Sequence, residues 1–226
     1  MKTTKILVAI TFLILWQNAQ GQGFVNLNFE NATIAPTPPG GSTFPADPTQ
    51  ALPGWTVGGA TTVVGYNGLS IGAPAISLMG PNFPNSAGYT PLQGSYSVLL
   101  QYFNIDGTPP TLSQTAVVPS GTQSINFLVG NGESDAVVTL NGINIPLVQI
   151  SAGELAGNVS AFAGSSAQLT FSTTTGGSGG DFLYFDDIQF SPSAVPEPSV
   201  LGLSALGGLL LAWRRWKERG FESENE

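Results

Sequence analysis

Hydrophobic and polar positions change character three times along the chain. Ile6 to Trp16 is almost wholly apolar. Val200 to Trp213 (VLGLSALGGLLLAW) is apolar apart from Ser204. Between them the apolar residues come in short runs broken by Gly, Pro, Ser and Thr. Ser124-Ile-Asn-Phe-Leu-Val129 and Gln168-Leu-Thr-Phe-Ser172 alternate with period two, the mark of a half-buried strand. The pattern predicts strands at Phe24–Phe29, Trp55–Val64, Ser95–Phe103, Thr111–Val118, Gln123–Val129, Ala136–Leu140, Ile143–Val148, Ala167–Ser172 and Phe182–Phe190. Asn141-Gly142 between two such runs predicts a two-residue hairpin turn. The only helical hint is a turn around Ala152 to Asn158. Proline-rich Ala32 to Gln50 and Gly80 to Pro91 read as long loops, since each Pro removes a ladder donor. Thr173 to Gly180 reads as a flexible connection. The predicted fold is all-β: an antiparallel β-sandwich or jelly roll of about 8–9 strands.

The two long apolar runs read as addresses. Lys2 and Lys5, the eleven-residue run and small Ala19 and Gly21 make a secretory signal peptide over 1–21, cut after Gly21, with Ala19 as runner-up. The alternative, an uncleaved anchor, meets a length problem: eleven residues span about 16 Å against a ~30 Å core. Residues 22–191 then form the sandwich domain, and 192–199 an extended spacer. The 200–213 run, about 21 Å as a helix, is a short transmembrane segment. Its flanking Ser199 and snorkelling Arg side chains extend its reach. A soluble core helix would show polar residues at helical spacing. Residues 214–226 are a cytoplasmic tail, with Arg214, Arg215, Lys217 and Arg219 as the membrane stop.

Charge sharpens this division. Residues 22–195, 174 in all, contain no Lys, Arg or His, and the whole chain has no Cys. That body carries nine carboxylates: Glu30, Asp47, Asp106, Glu133, Asp135, Glu154, Asp181, Asp186 and Asp187. Without cations it cannot neutralise phosphates, which excludes nucleic-acid binding. Ser-His-Asp and Cys-His catalysis, Schiff-base lysines and thiolate metal sites are excluded on the same grounds. A glycosidase needs two carboxylates ~5–9 Å apart. Nothing in the sequence brings Glu133 and Asp135, or Glu154 and Asp187, together in that way. The chain is therefore read as a non-enzyme.

The C-terminal order of Val195-Pro196-Glu197-Pro198-Ser199, a Gly/Leu-rich span and an Arg cluster resembles the PEP-CTERM sorting-signal proteins of Gram-negative bacteria. The resemblance covers Val195 to Arg219; the tail Gly220–Glu226 departs from it. It implies recognition by an exosortase, a membrane-embedded transpeptidase, with Pro196, Glu197 and Pro198 as substrate residues. Neither a Leu-Pro-x-Thr-Gly sortase element nor the apolar end of a GPI signal is present. The expected localisation is export, transit through the cell membrane, then the cell surface or extracellular matrix. Signal peptidase, exosortase, the membrane and extracellular polysaccharide are the expected partners.

A second resemblance covers the body. Asn28-Phe29-Glu30, Leu52-Pro53-Gly54-Trp55, Gly94 to Leu100, Leu112 to Thr115 and Tyr184-Phe185-Asp186-Asp187-Ile188 are ordered as in galactose-binding-like jelly rolls, a fold shared with carbohydrate-binding modules. That resemblance implies adjacent first and last strands and a structural calcium near Glu30 with Asp186 or Asp187. Alternation sends those two aspartates to opposite faces. Asp181 is a further oxygen donor within reach by loop geometry. Hard oxygen ligands suit Ca²⁺, and a cation-free acidic body has reason to bind one. Asn131-Gly-Glu133-Ser-Asp135 reads first as a polar turn and only loosely as a loop cation site. Trp55 and Tyr89 are the candidate ligand-stacking aromatics, with Trp55 also suited to core packing. Tyr96 and Tyr102 share inward parity with Val98 and Leu100. The sequons at Asn31 and Asn158 are incidental in a bacterial protein. These features together point to a structural or adhesive surface protein, with a carbohydrate-binding module, and then a polysaccharide hydrolase, as alternatives.

Overall fold

A computed structural model of the chain describes residues 23–34, 43–59, 64–68, 75–81, 89–103, 108–130, 135–175 and 180–195. The chain divides into two units, Met1–Ala194 and Val195–Glu226. The expected signal peptide over 1–21, the Pro196-Glu197-Pro198 motif, the expected 200–213 span and the cluster Arg214, Arg215, Lys217 and Arg219 lie outside the described residues. Among the described residues no helix is long and apolar enough to cross a membrane.

The first unit is all-β. In chain order its elements begin with β1 (Thr43–Ala46), α1 (Pro48–Ala51), β2 (Thr56–Gly58), β3 (Val64–Tyr66), β4 (Ala75–Met79) and β5 (Ser97–Tyr102). Next come β6 (Thr111–Val117), β7 (Ser124–Val129), β8 (Ala136–Leu140) and β9 (Ile143–Asn144). The last are β10 (Leu147–Ser151), β11 (Glu154–Asn158), β12 (Ser166–Thr173) and β13 (Asp181–Ser191). One sheet runs β1-β3-β4-β5-β13-β7-β11-β10, the other β2-β6-β12-β8-β9. This is the expected β-sandwich, with 13 described strands rather than about 8–9. Every pair is antiparallel except β3 with β4, which run parallel.

Period-two patterning decided the strands it could reach. β12 alternates exposed and buried positions along Ser166–Thr173, placing Ala167, Leu169 and Phe171 in the core. Those side chains meet Phe127 of β7 and Phe185 of β13 across the sandwich. Phe171 stacks on Phe185 at 4.7 Å and meets Phe127 edge-on at 5.1 Å. Ring pairs in these arrangements add to the area they bury. The Asn141-Gly142 turn joins β8 to β9, with both residues at positive φ (50° and 76°) as the turn requires. Asn141 Oδ1 also accepts the Gln168 N–H at 2.8 Å, tying the turn to β12.

Several predicted elements differ. Phe24–Phe29 is no strand: Asn26 and Phe29 have positive φ, and the Gln114 side chain bonds both the N–H and the C=O of Val25. The stretch still lies beside the last strand, through Ile188 N–H to the Leu27 carbonyl at 3.0 Å and Phe24 stacked on Phe190. The Ile143–Val148 strand is split at Pro146, and the chain passes there from the edge of one sheet to the edge of the other. Residues 154–158 are strand β11 rather than a helical turn, because pairing with β7 and β10 outweighs the helix preference of Glu-Leu-Ala. The proline-rich Ala32–Gln50 stretch contains β1 and all but the last residue of α1, which is capped by Asp47 accepting from Thr49 N–H.

Candidate functional site

β13 carries the acids that matter. Leu183 and Phe185 face the core between the sheets, whereas Phe182, Tyr184 and Asp186 face outward. A bulge between Asp186 and Gln189, with Asp187 at φ 47°, then restores Ile188 to the core. Asp186 is fully buried beneath the turn that leads into β5. Its Oδ2 accepts Gln93 N–H at 3.1 Å and Ser97 Oγ–H at 2.8 Å, and its Oδ1 accepts Asp187 N–H at 2.6 Å.

Glu30 grips the same turn from the other side. Its Oε1 accepts Ser95 N–H at 2.7 Å and Tyr96 N–H at 3.0 Å. Gly94 has φ 58°, and a Cβ there would stand 2.3 Å from Glu30 Oε1, so the contact requires glycine. The structure therefore unites Glu30 and Asp186 through residues 93–97. Burial pushes the Asp186 carboxyl up to about 7, against hydrogen bonds from Ser97, Asp187 and Gln93, and the Glu30 charge adds a smaller push. Burial likewise raises Tyr184 to about 12. Its hydroxyl donates to the Thr90 carbonyl at 2.7 Å.

The donor set is compatible with a hard cation. Glu30 Oε2 accepts no hydrogen bond among the described residues, and Asp186 Oδ1 has only one. Both are carboxylate oxygens of the type Ca²⁺ takes. Asp187 does not join them: its Oδ2 accepts from Gln189 Nε2 at 2.7 Å. Nor does Asp181, which sits at the other end of β13, about 17 Å away at ~3.3 Å per strand residue. Among the described residues no group of three or more acidic side chains is gathered.

Trp55 is 7 % exposed and belongs to the core. Its ring packs on Phe29 at 5.7 Å and its Nε1–H donates to the Asn26 carbonyl at 3.0 Å, so it offers no face to a ligand. Tyr89 is half-buried, edge-on to Tyr184 at 5.1 Å. With Leu92 and Phe182 it covers Met79, Leu99 and Tyr184 on the outer face of the larger sheet. Tyr102 faces inward as expected, and Tyr96 is half-buried against the core. Sequence reasoning missed Gln93 and Ser97 as partners of the acids. Only the Gly94-Ser95 pair, an ordinary turn signal, hinted at them.

Comparison with known proteins adds one assignment. The chain matches the PEP-CTERM protein-sorting motif over residues 194–215. That span holds Pro196, Glu197, Pro198, Arg214 and Arg215, and it supports export, exosortase processing and sorting to the surface or membrane in bacteria. No curated protein matches the sequence. The first unit is similar to TmCBM61, solved in complex with β-1,4-galactotriose, at 15 % identity and TM-score 0.35, covering 75 % of this chain and 98 % of that one. It is similar to the enzymatically active domain of tailspike protein 4 of bacteriophage CBA120 at 17 % identity and TM-score 0.36, covering 62 % and 19 %. The K2 cleaved adhesin domain of Lys-gingipain aligns at 13 % identity and TM-score 0.40, covering 61 % and 90 %. Likenesses of this strength say nothing of what the chain binds.

Proposed function

We propose that this protein is a surface or extracellular-matrix component, passed on by an exosortase through Pro196-Glu197-Pro198, whose sandwich body has a structural or adhesive role rather than a catalytic one. The observation that carries the reading is the sorting motif at 194–215. The body supports it through the way its acids are used. Glu30, Asp47, Asp135, Glu154, Asp181, Asp186 and Asp187 each accept a hydrogen bond from a neutral backbone or side-chain donor. These carboxylates fasten turns and strand ends, which suits a scaffold. A structural calcium at Glu30 and Asp186 would reinforce the fastening of the 93–97 turn to β13. The expected processing partners are signal peptidase and the exosortase, and extracellular polysaccharide is the expected surrounding.

The test is surface labelling of the native host with and without its exosortase. The account expects the labelled pool to vanish in the deletion strain and in a Glu197→Ala variant, with precursor accumulating in the membrane fraction. Undiminished surface labelling in both would overturn it. The second reading, a carbohydrate-binding module, rests on Tyr89 standing half-exposed over the outer sheet face. It predicts glycan-array binding that Tyr89→Ala removes.

A further inference from the structure

The two sheets run out together along one side of the sandwich. β10 ends the larger sheet and β9 ends the smaller one, and Pro146 between them carries the chain across. A cavity of about 690 Å³ lies between these edges, bordered by Asn144, Pro146, Leu147, Gln149 and Leu155. Three large apolar side chains stand exposed among the described residues. Two of them, Ile143 at 59 % and Ile150 at 38 %, are on β9 and β10.

A sheet edge is a template for pairing with another chain, and proteins ordinarily blunt it with proline, charge or shortness. Three of the four edges here are blunted in those ways. β1 contains Pro45 and runs into Asp47, β2 is three residues long and β9 only two. β10 is different. Its five residues, Leu147-Val148-Gln149-Ile150-Ser151, include no proline and no charge, and no strand among the described residues pairs with its outer side. Its one register shift, between Gln149 and Ser151, falls at the turn into β11 and leaves Leu147 to Gln149 in regular pairing. Charge then selects the occupant. The body has nine acids and no cation, so a second copy is repelled wherever carboxylates face it. From Ala136 to Gly153, which builds β8, β9 and β10, there is no charged side chain. Glu154, the next acid, is held by Asn126 and Ser151. Two copies meet on this edge without opposing carboxylates, whereas a basic partner finds nothing there to pair with.

We propose that β10 pairs antiparallel with β10 of a second copy, about a two-fold axis near Gln149. A two-fold interface must be self-complementary, and this strand suits that demand. Val148 comes beside Ile150 of the second copy, and the two Gln149 amides meet. The pairing joins two eight-stranded sheets edge to edge. It also sets the two cavities against each other, so that Ile143 and Ile150 leave water. The inference goes beyond the structural or adhesive reading and holds however the chain is sorted.

The test is cross-linking and sedimentation of the full chain in detergent, helped by its lack of any Cys. Gln149→Cys introduces one thiol at the axis, and Thr56→Cys places one on β2, an edge of the smaller sheet. Residues directly opposed in an antiparallel pair have Cα atoms about 4.5–5.5 Å apart. Bis-maleimidoethane, which tolerates a residue's slip in register, should therefore couple Gln149→Cys into a covalent dimer. Thr56→Cys should stay monomeric under the same treatment. Gln149→Glu, nearly isosteric, sets like charges opposite each other and should weaken the sedimenting dimer about fivefold or more. Its circular dichroism spectrum should stay native, because the side chain is exposed. A native chain that sediments as a monomer at every concentration would overturn the proposal and leave the edge to a foreign strand. A dimer that Gln149→Glu leaves intact, or that Thr56→Cys captures as well as Gln149→Cys does, would also overturn it, placing the contact elsewhere, such as the apolar 200–213 run. Should Gln149→Cys fail to fold, Gln149→Glu decides alone.

Discussion

The body and the two ends of this chain divide the charged residues between them. All six cations lie within the first five and last thirteen residues, while the body between Gln22 and Val195 has nine acids and none. At the ends, the proposed sorting reading gives charge the setting of orientation in a membrane, and patterned apolar length the rest. Within the body no ion pair between side chains is available, so each described carboxylate has become an acceptor for backbone N–H, hydroxyl or amide donors. Glu30 and Asp186 show the consequence. Between them they hold the N–H groups of Gln93, Ser95 and Tyr96 and the hydroxyl of Ser97, fixing a turn that a salt bridge would fix elsewhere. A hydrogen-bonded carboxylate is directional and tied to local backbone, whereas a terminal cation cluster works at a distance and needs no fold.

Predictions that break or sharpen this contrast fall from all-or-none effects to fractions of the stability. Trypsin should be unable to cut the body even after heat denaturation, while chymotrypsin fragments it once unfolded. A tryptic band ending between Gln22 and Val195 would contradict the charge division itself. Next, Phe185→Ala removes the ring that stacks on Phe171 and meets Phe29 edge-on at 5.5 Å. It should cost about 3–5 kcal/mol in urea unfolding. A loss below 1 kcal/mol would deny the aromatic core its role.

Asp186 gives the pH prediction. Its folded carboxyl titrates near 7, above the ordinary value of 3.8. Between those two pH values the folded state holds the extra proton, so without divalent cations stability falls as pH rises from about 4 to about 7. Asp186→Asn should flatten that slope in EDTA. Calcium should also weaken it, because a bound cation favours the ionised form. A native melting temperature that climbs over this range in EDTA would contradict the burial account. The smallest effect is at the hairpin. Asn141→Ala loses both a residue tolerant of positive φ and the acceptor for Gln168 N–H, and should cost about 1–2 kcal/mol by thermal melting.

How far the sequence could be read follows the same physics. β6, β7, β8 and β12 were legible because half-buried strands alternate and nothing competes with that signal. β11 was not, since Glu-Leu-Ala prefers helix locally and only its neighbours β7 and β10 make it a strand. β3 is three residues long and buried throughout, and in β4 even the polar Ser77 is buried, so burial there does not alternate with polarity. Of the candidate site, Glu30 and Asp186 were legible as acids on segments expected to be neighbours. The donors at residues 93–97 were not, because backbone N–H groups leave no mark in a sequence. Asp135 accepts the N–H of Phe182, far along the chain, a contact that only the fold creates. The sorting segment was the most legible part, since recognition by a processing enzyme acts on local order rather than on tertiary contact.

The central claim is that the cationic C-terminal end is an address that the finished protein sheds. The intact mass of the protein recovered from its native host tests it most directly. The account predicts a chain that begins near Gln22 and ends within Pro196–Ser199, with any added group visible as a discrete increment. A mass that runs on to Glu226 would contradict it, and would make the segment after Val195 a permanent part of the protein.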